Sequence, residues 1–188
     1  MSIRYAPVER EDIETIIALT EEHLMHGERI GESIRESVAE GNYYGVKAVE
    51  DGKIVAFVTC KKGIELTCPH PEAERRLAEC SAGKTVFTGD ALYVARSHRN
   101  RGIGTQLQIR DRELQLSLGG THALLEVWRH PDGRMPSGHI SHNYGELVFQ
   151  EYIPEFYREA ARFGMECPLC GSECKCGAEL RLFRLRRE

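Results

Sequence analysis

A strand-like segment in the middle of the chain runs into a glycine-containing turn and then into an amphipathic helix. Residues 85–94 have strand character, Gly102 and Gly104 punctuate the turn, and apolar residues follow at helical spacing to Leu118. The first turn of a helix has backbone N–H groups without partners, and its dipole makes that end positive. Glycines there let a phosphate approach closely, although similar turns also occur that bind nothing.

Hydrophobic periodicity on both sides of this unit predicts one domain over residues 1–188, a usual length for a single core. Asp51-Gly52 lies between two strand-like segments and predicts a hairpin. Two helices are predicted to end near Gly27 and Gly41, and residues 129–150 are predicted to be a long loop. The predicted strands are residues 3–6, 44–49, 54–60, 85–94, 123–128 and 179–185, and further helices are predicted at 72–80, 103–118 and 155–163.

The turn reads Arg99-Asn100-Arg101-Gly102-Ile103-Gly104, which resembles the R/Q-x-x-G-x-G/A signature of the GNAT superfamily of N-acetyltransferases. The order of the predicted elements and the segments 124–127, 156–157 and 163–165 resemble that family over most of the chain. The resemblance implies an α/β (α+β) fold. Its sheet is mixed, mostly antiparallel, flanked by helices, and splayed between the fourth and fifth strands.

The same resemblance implies that the turn holds the pyrophosphate of acetyl-CoA and that β-strand backbone groups hold its pantetheine arm. The acetyl group would pass to a primary amine of a small molecule or peptide by direct attack, without a covalent enzyme intermediate. The implied cofactor-binding residues are Leu92, Tyr93, Val94, Arg99, Asn100, Arg101, Gly102, Ile103, Gly104 and Thr105. The alternative is a catalytically inactive module that binds CoA or a protein on the same fold.

Three residues are the catalytic predictions. Tyr157 is the candidate acid for the departing thiolate, with Tyr152 as the second choice and a packing role for Tyr157 as the alternative. Asp90 and Glu126 are the candidate bases, although each would also suit a solvated or hydrogen-bonded carboxylate. Strand alternation predicts that Asp90 shares one face with Leu92 and Val94.

The predicted loop at 129–150 carries polar residues and is expected to help form the acceptor pocket. Its histidines fit no familiar metal-ligand spacing, so a metal site there is not favoured. The residues concerned are His130, Asp132, His139, His142, Asn143 and Tyr144.

Four cysteines in the spacing C-x2-C-x3-C-x-C occupy the loop at 167–176. Cys167, Cys170, Cys174 and Cys176, the Cys tetrad, match the tetrahedral preference of a structural zinc. An iron–sulfur cluster, redox disulfides or free thiols are the alternatives. The remaining cysteines, at 60, 68 and 80, have no readable spacing and are expected to pack or to stay as free thiols.

Net charge narrows the list of partners. With 25 Lys and Arg against 29 Asp and Glu, the formal charge is −4, which does not favour nucleic acid binding. The four arginines between positions 181 and 187 are interpreted as part of a solvated edge strand and a charged tail. No apolar run is long enough to cross a membrane, and the N-terminus lacks signal-peptide character, so a cytoplasmic location is expected. Homodimerisation is left open.

Overall fold

The computed structural model describes residues 2–187, except for the side chain of Glu28, and its described part contains one seven-stranded sheet. The strands are β1 (Arg4–Pro7), β2 (Tyr44–Glu50), β3 (Lys53–Lys62), β4 (Val86–Val94), β5 (His122–Arg129), β6 (Gly145–Ile153) and β7 (Gly177–Leu185). The helices are α1 (Ile13–His23), α2 (Glu28–Ala39), α3 (Pro71–Cys80) and α4 (Ile103–Ser117). Short 3-10 helices cover Arg10–Asp12, Arg96–His98, Gly138–Tyr144 and Phe156–Phe163.

The strand order is β1-β2-β3-β4-β5-β7-β6, and neighbours are antiparallel except for the parallel pair β4–β5. This mixed, mostly antiparallel sheet flanked by helices confirms the predicted fold class. The hairpin between β2 and β3 is also confirmed, because Asp51 and Gly52 have φ of 51° and 76°. Positive φ at both central residues is the geometry of a type I′ turn, which Asp-Gly favours.

The sheet has two covered faces. On one face, α1 packs on β3 and β4 through Ile16, and α3 packs on β5 and β7 through Leu77. We call it the α1 face, and it also carries the 3-10 helix Phe156–Phe163. On the other face, the α4 face, Leu107 of α4 packs on β2 and β3, and the 3-10 helix Gly138–Tyr144 packs on β5 and β7.

β4 and β5 separate soon after they start. They pair only between Val86–Thr88 and His122–Leu124, which leaves the rest of both strands apart. β5 stays paired with β7 over its whole length, while β4 stays paired with β3, so each strand is held by its outer neighbour. The splay predicted between the fourth and fifth strands is therefore confirmed.

Two predictions about the C-terminal half are wrong. The loop predicted at residues 129–150 contains the 3-10 helix Gly138–Tyr144 and most of strand β6. β6 pairs with β7 and forms the edge of the sheet, so the last strand is an interior strand and not the expected edge. β6 is half exposed, begins at Gly145 and contains a register shift between Leu147 and Phe149 in its pairing with β7, so the alternation in its own sequence is weak.

Among the helices of the described residues, none combines the length and the apolar character that a bilayer span requires.

Candidate active site

Residues 99–105, which we call the cradle, comprise the turn before α4 and the first three residues of that helix. Gly102 is the residue before the helix and has φ 74° and ψ 2°, a left-handed conformation that glycine adopts without strain. A Cβ at Gly102 would meet nothing within 4 Å, so its conformation and not space requires glycine. At Gly104 a Cβ would lie 3.2 Å from Cδ1 of Ile140, so this glycine allows the helix Gly138–Tyr144 to pack closely.

Charged side chains fix the cradle to the neighbouring strands. The Arg99 Nε donates a 3.0 Å hydrogen bond to the Val94 carbonyl at the end of β4. Arg101 lies 3.7 Å from Glu50, and His98 Nε2 lies 2.9 Å from the same carboxylate. The hydrogen bond with His98 lowers the pKa of Glu50, which therefore stays ionised and holds the turn against β2. The free N–H groups of the first turn of α4 thus have two arginines beside them.

The end of β4 offers backbone groups to the splay. The Ala95 N–H donates a hydrogen bond to the Val55 carbonyl of β3. In an antiparallel pair every second residue directs its backbone N–H and C=O toward the same neighbour, so the backbone groups of Tyr93 also face β3. Leu92 and Val94 alternate with it, so their N–H and C=O groups point toward the opening beside β5. Their side chains pack on the α4 face, whereas Tyr93 packs on the α1 face and stacks on His23 at 5.1 Å. An extended ligand arm can therefore pair with Leu92 and Val94 as a strand would.

Asp90 lies on the face opposite to the one predicted. The register passes from Thr59–Ala91 to Cys60–Gly89, so Asp90 is the extra residue of a β-bulge. Its carboxylate accepts hydrogen bonds from Tyr43 at 3.3 Å and Thr59 at 3.2 Å and lies 3.7 Å from the Lys61 ammonium. The prediction that it shares a face with Leu92 and Val94 is wrong, because the bulge breaks the alternation.

Glu126 lies on β5 on the same α1 face, since Leu124, two residues earlier, packs against α3 there. One of its carboxylate oxygens accepts a 3.0 Å hydrogen bond from the Thr67 N–H. Burial raises the pKa of Glu126 above its ordinary value, Thr67 and the Tyr157 hydroxyl oppose the rise, and the charge of Asp90 adds to it. The two predicted bases thus flank the splay from β4 and β5, and the charge of Asp90 acts on Glu126.

Tyr157 is buried, with 5% of its surface exposed, on the 3-10 helix Phe156–Phe163 between β6 and β7. Burial and the nearby charge of Glu126 raise the pKa of Tyr157 well above its ordinary value, so the hydroxyl stays protonated. Tyr152, the second choice, is exposed on β6, and the Arg129 guanidinium lies 4.4 Å from its ring centre. Only Tyr157 of the two is next to a predicted base.

The polar residues of the predicted acceptor loop do not gather at these carboxylates. Tyr144 is buried on the α4 face and donates a 2.6 Å hydrogen bond to Asp111, and Asn143 contacts Gln108 of α4. The His130 ring packs against Trp128 in a tilted arrangement, with ring centres 4.6 Å apart. Asp132 pairs with Arg134, and His139 and His142 are exposed residues of the 3-10 helix Gly138–Tyr144.

The Cys tetrad comes together as predicted. All four Sγ atoms lie within 4.8 Å of one another, with 3.6 Å between Cys170 and Cys176 and 4.0 Å between Cys167 and Cys176. Four sulfur atoms held at about 2.3 Å by a tetrahedral zinc are about 3.8 Å apart, so the donor set fits that ion. Within residues 2–187, no other cluster of three or more histidine, cysteine or acidic side chains has ligand geometry.

The backbone and core around the tetrad are arranged for sulfur ligands. Cys167 and Gly171 exchange backbone hydrogen bonds, which closes the turn that aims the first two thiols at one point. Burial raises the pKa of Cys174 to about 12, whereas a backbone hydrogen bond from Lys175 lowers the pKa of Cys170. Burial raises the pKa of Cys176, and the nearby Trp128 indole opposes that rise. A metal would therefore replace protons on largely buried thiols.

The other three cysteines fit the packing expectation. Cys60 is buried and lies 3.4 Å from the Asp111 carboxylate, Cys68 is buried, and Cys80 is exposed. Sequence reasoning missed two residues near Glu126 and the tetrad, namely Thr67 and Trp128. Thr67 acts through its backbone, which leaves no side-chain signal. Trp128 could have been noticed as the single tryptophan of the chain, two residues after Glu126 on the same strand.

Comparisons with known proteins place this geometry in context. The model of the acetyltransferase (GNAT) family matches residues 11–110. Arabidopsis thaliana NAA60 in complex with acetyl-CoA is similar in structure, with TM-score 0.68 and 17% identity, covering 97% of this chain and 98% of that one. A chain of the NatC complex bound to Gag peptide and CoA has TM-score 0.65 and 15% identity, with 99% and 100% covered.

An N-acetyltransferase from Staphylococcus aureus Mu50 has TM-score 0.64 and 12% identity, with 99% and 100% covered. A comparison with curated protein sequences gave no match. At these identities the solved structures support the fold.

Proposed function

Because this chain belongs to the acetyltransferase (GNAT) family, we propose that it transfers an acetyl group from acetyl-CoA to a primary amine within a ternary complex. One observation carries the proposal. The start of helix α4, preceded by a left-handed glycine and flanked by two arginines, and two carboxylates lie at the same splay, on opposite faces of the sheet. A donor and an acceptor can then meet at the opening between β4 and β5 without crossing each other.

The donor side uses backbone groups. The N–H groups at residues 103–105 and the side chains of Arg99 and Arg101 bind the pyrophosphate. Arg99 gives up its hydrogen bond to Val94 as the pantetheine arm pairs with Leu92 and Val94. The thioester carbonyl then lies in the splay, where backbone N–H groups stabilise the oxyanion that forms on attack.

The acceptor side uses the buried carboxylate. Glu126 removes a proton from the incoming ammonium or amine. Burial raises the pKa of Glu126 toward neutral pH, which makes it a stronger base than an exposed glutamate. Asp90 supplies a second negative charge that attracts a cationic acceptor to the same face. Tyr157, protonated at neutral pH, is the proposed proton donor to the departing CoA thiolate, and its contact with Glu126 lets the proton return.

The test is release of free CoA from acetyl-CoA in the presence of small amines, amino acids and short peptides with free N-termini. We expect turnover with at least one class of amine. Glu126→Gln should lower kcat about 10²–10⁴-fold, because its side-chain amide keeps an oxygen that can accept the hydrogen bond from the Thr67 N–H but cannot act as a base. Glu113→Gln, an exposed change on α4, is the matched control. CoA binding without turnover across the whole panel would instead favour the inactive binding module.

We further propose that the Cys tetrad binds one structural zinc. The sulfur separations near 3.8 Å and the four protein ligands support a closed site without an open position for catalysis. Protein purified without added metal is expected to contain about one zinc per chain, and Cys174→Ser is expected to lower that content while Cys80→Ser retains it. If the purified protein is instead coloured and contains stoichiometric iron, the tetrad binds an iron–sulfur cluster and the zinc proposal is wrong.

A further inference from the structure

The connection between β6 and β7, residues 154–176, touches the candidate acceptor side at two separate places. The Tyr157 hydroxyl lies close enough to Glu126 for the charge of that carboxylate to add to the burial that raises the pKa of Tyr157. Further along, Glu166 exchanges two backbone hydrogen bonds of 2.7 and 3.1 Å with His26, in the turn between α1 and α2. The Gly27 backbone approaches so closely that a Cβ there would lie 2.5 Å from the Gly164 carbonyl oxygen. The connection therefore links a predicted base to the helix pair that covers the same face.

The Cys tetrad closes this connection just after these contacts. Glu166 directly precedes Cys167, and the Tyr157 N–H donates to the Cys176 carbonyl at 3.4 Å. Cys167, Cys174 and Cys176 are also buried members of the core cluster that contains Tyr157. The sulfur ligands thus make up part of the core that seats the tyrosine.

We propose that metal bound by the Cys tetrad positions the acceptor side of the active site, by fixing Tyr157 against Glu126 and Glu166 against His26. This inference rests on the proposed acetyl transfer, and the ligands act as positioning residues through the connection. Without the metal, the ten residues from Cys167 to Cys176 lose their cross-link, and the conformational entropy of the loop is regained. The contacts at His26 and Glu126 then loosen together.

The cradle is built from other parts of the chain, and this separation makes the proposal specific. Its conformation comes from Gly102 and the start of α4, and its side chains are tied to β2 and β4 through Glu50 and Val94. Metal loss should therefore change acceptor binding and the mobility of the connection, while CoA binding persists.

The experiment compares the full-length protein with and without its metal, removed by a chelator and restored with zinc. Hydrogen exchange followed by mass spectrometry is expected to speed up at least tenfold at residues 24–27 and 154–166, and to change little at 99–105. The Kd for CoA, from calorimetry, should stay within about twofold, while kcat/KM for the amine falls at least tenfold and zinc restores it. Cys80→Ser is the matched thiol control, since Cys80 is exposed on α3.

Two results would overturn the proposal: unchanged exchange at residues 24–27 and 154–166 after metal removal, or CoA binding lost in parallel because the whole domain unfolds. The exchange and CoA measurements do not need turnover, so they decide the coupling even if no amine is acetylated.

Tyr157→Phe in the metal-loaded protein gives a second, independent test. It should keep its zinc and move the acidic limb of the kcat/KM profile to higher pH, because Glu126 loses the neighbouring hydroxyl that lowers its pKa. An unchanged limb would exclude the tyrosine as the link between the metal site and the base.

Discussion

The buried carboxylate of Asp111 should make the scaffold under the cradle sensitive to pH. It lies on α4 with none of its surface exposed and accepts hydrogen bonds from Tyr144 at 2.6 Å, Gln115 at 2.7 Å and Cys60 at 3.4 Å. Burial raises the pKa of Asp111 from 3.8 to about 6, against the effect of these hydrogen bonds. Asp111 thereby joins α4 to β3 and to the helix Gly138–Tyr144.

The sign and size of the effect follow from linkage. The pKa of Asp111 is higher in the folded state than in the unfolded state, so folding favours the protonated carboxyl. The stability that this group contributes is fully present below pH 3.8 and is lost as pH rises through about 6. A shift of about two units corresponds to about 3 kcal/mol at neutral pH, because each unit is worth about 1.4 kcal/mol. Asp111→Asn keeps one acceptor oxygen for Tyr144 and Gln115 but carries no charge. Relative to wild type, it should gain roughly 2–3 kcal/mol of stability between pH 4 and pH 8.

Urea unfolding at constant ionic strength and saturating zinc measures this difference at each pH. Asp132→Asn, at an exposed aspartate paired with Arg134, is the matched control. The hydrogen bonds from Arg134 lower the pKa of Asp132, so this variant should show only a small pH-dependent change in stability, of opposite sign to that of Asp111→Asn. The result that would refute the reasoning is a difference in the free energy of unfolding, between wild type and Asp111→Asn, that changes by less than about 0.5 kcal/mol from pH 4 to pH 8. The pKa of the carboxyl would then be the same in the folded and unfolded states.

Three further predictions concern the cradle, the tetrad and the core. Gly102→Ala and Gly133→Ala place alanine at φ of 74° and 84° in open space, so each should cost about 1–2 kcal/mol of stability, but only the first should weaken CoA binding in calorimetry. Trp128→Phe removes the indole N–H that lowers the pKa of the Cys176 thiol and should lower zinc affinity about 10–100-fold in a chelator competition assay. Leu107→Ala, at a fully buried position of α4, should lower the free energy of unfolding by about 2–5 kcal/mol in urea titrations.

The features predicted correctly depend on short stretches of sequence. The hairpin follows from Asp51-Gly52, because two adjacent residues set the turn type. The cradle follows from a contiguous strand, turn and helix, and the Cys tetrad from ligands within ten residues. In each case neighbours in sequence are also neighbours in space, so their spacing carries the geometry.

The errors arise where geometry depends on distant pairing. Strand β6 is half exposed and needs β7 to define it, so its own residues gave only a weak period-two signal. Asp90 lies on the opposite face from the one predicted because β4 has one residue more than β3 at this point, which forms a bulge and breaks the alternation of side chains. Its neighbour Gly89 was the available signal, since glycine inside a strand pattern indicates a bulge or a close approach. A Cβ at Gly89 would indeed lie 3.0 Å from the Leu125 side chain.

The bulge at Asp90 also affects how the donor and acceptor of the proposed reaction would approach each other. With strict alternation, Asp90 would face α4 together with Leu92, on the side where the cradle begins. A carboxylate there would repel the diphosphate of the donor, because like charges in a partly buried site are costly. The inserted residue turns Asp90 to the α1 face, next to Lys61 and within electrostatic reach of Glu126. In the proposed reaction, the sheet would then separate the donor phosphates on the face of the cradle from an acidic face, and the amine acceptor would be drawn to the acidic side.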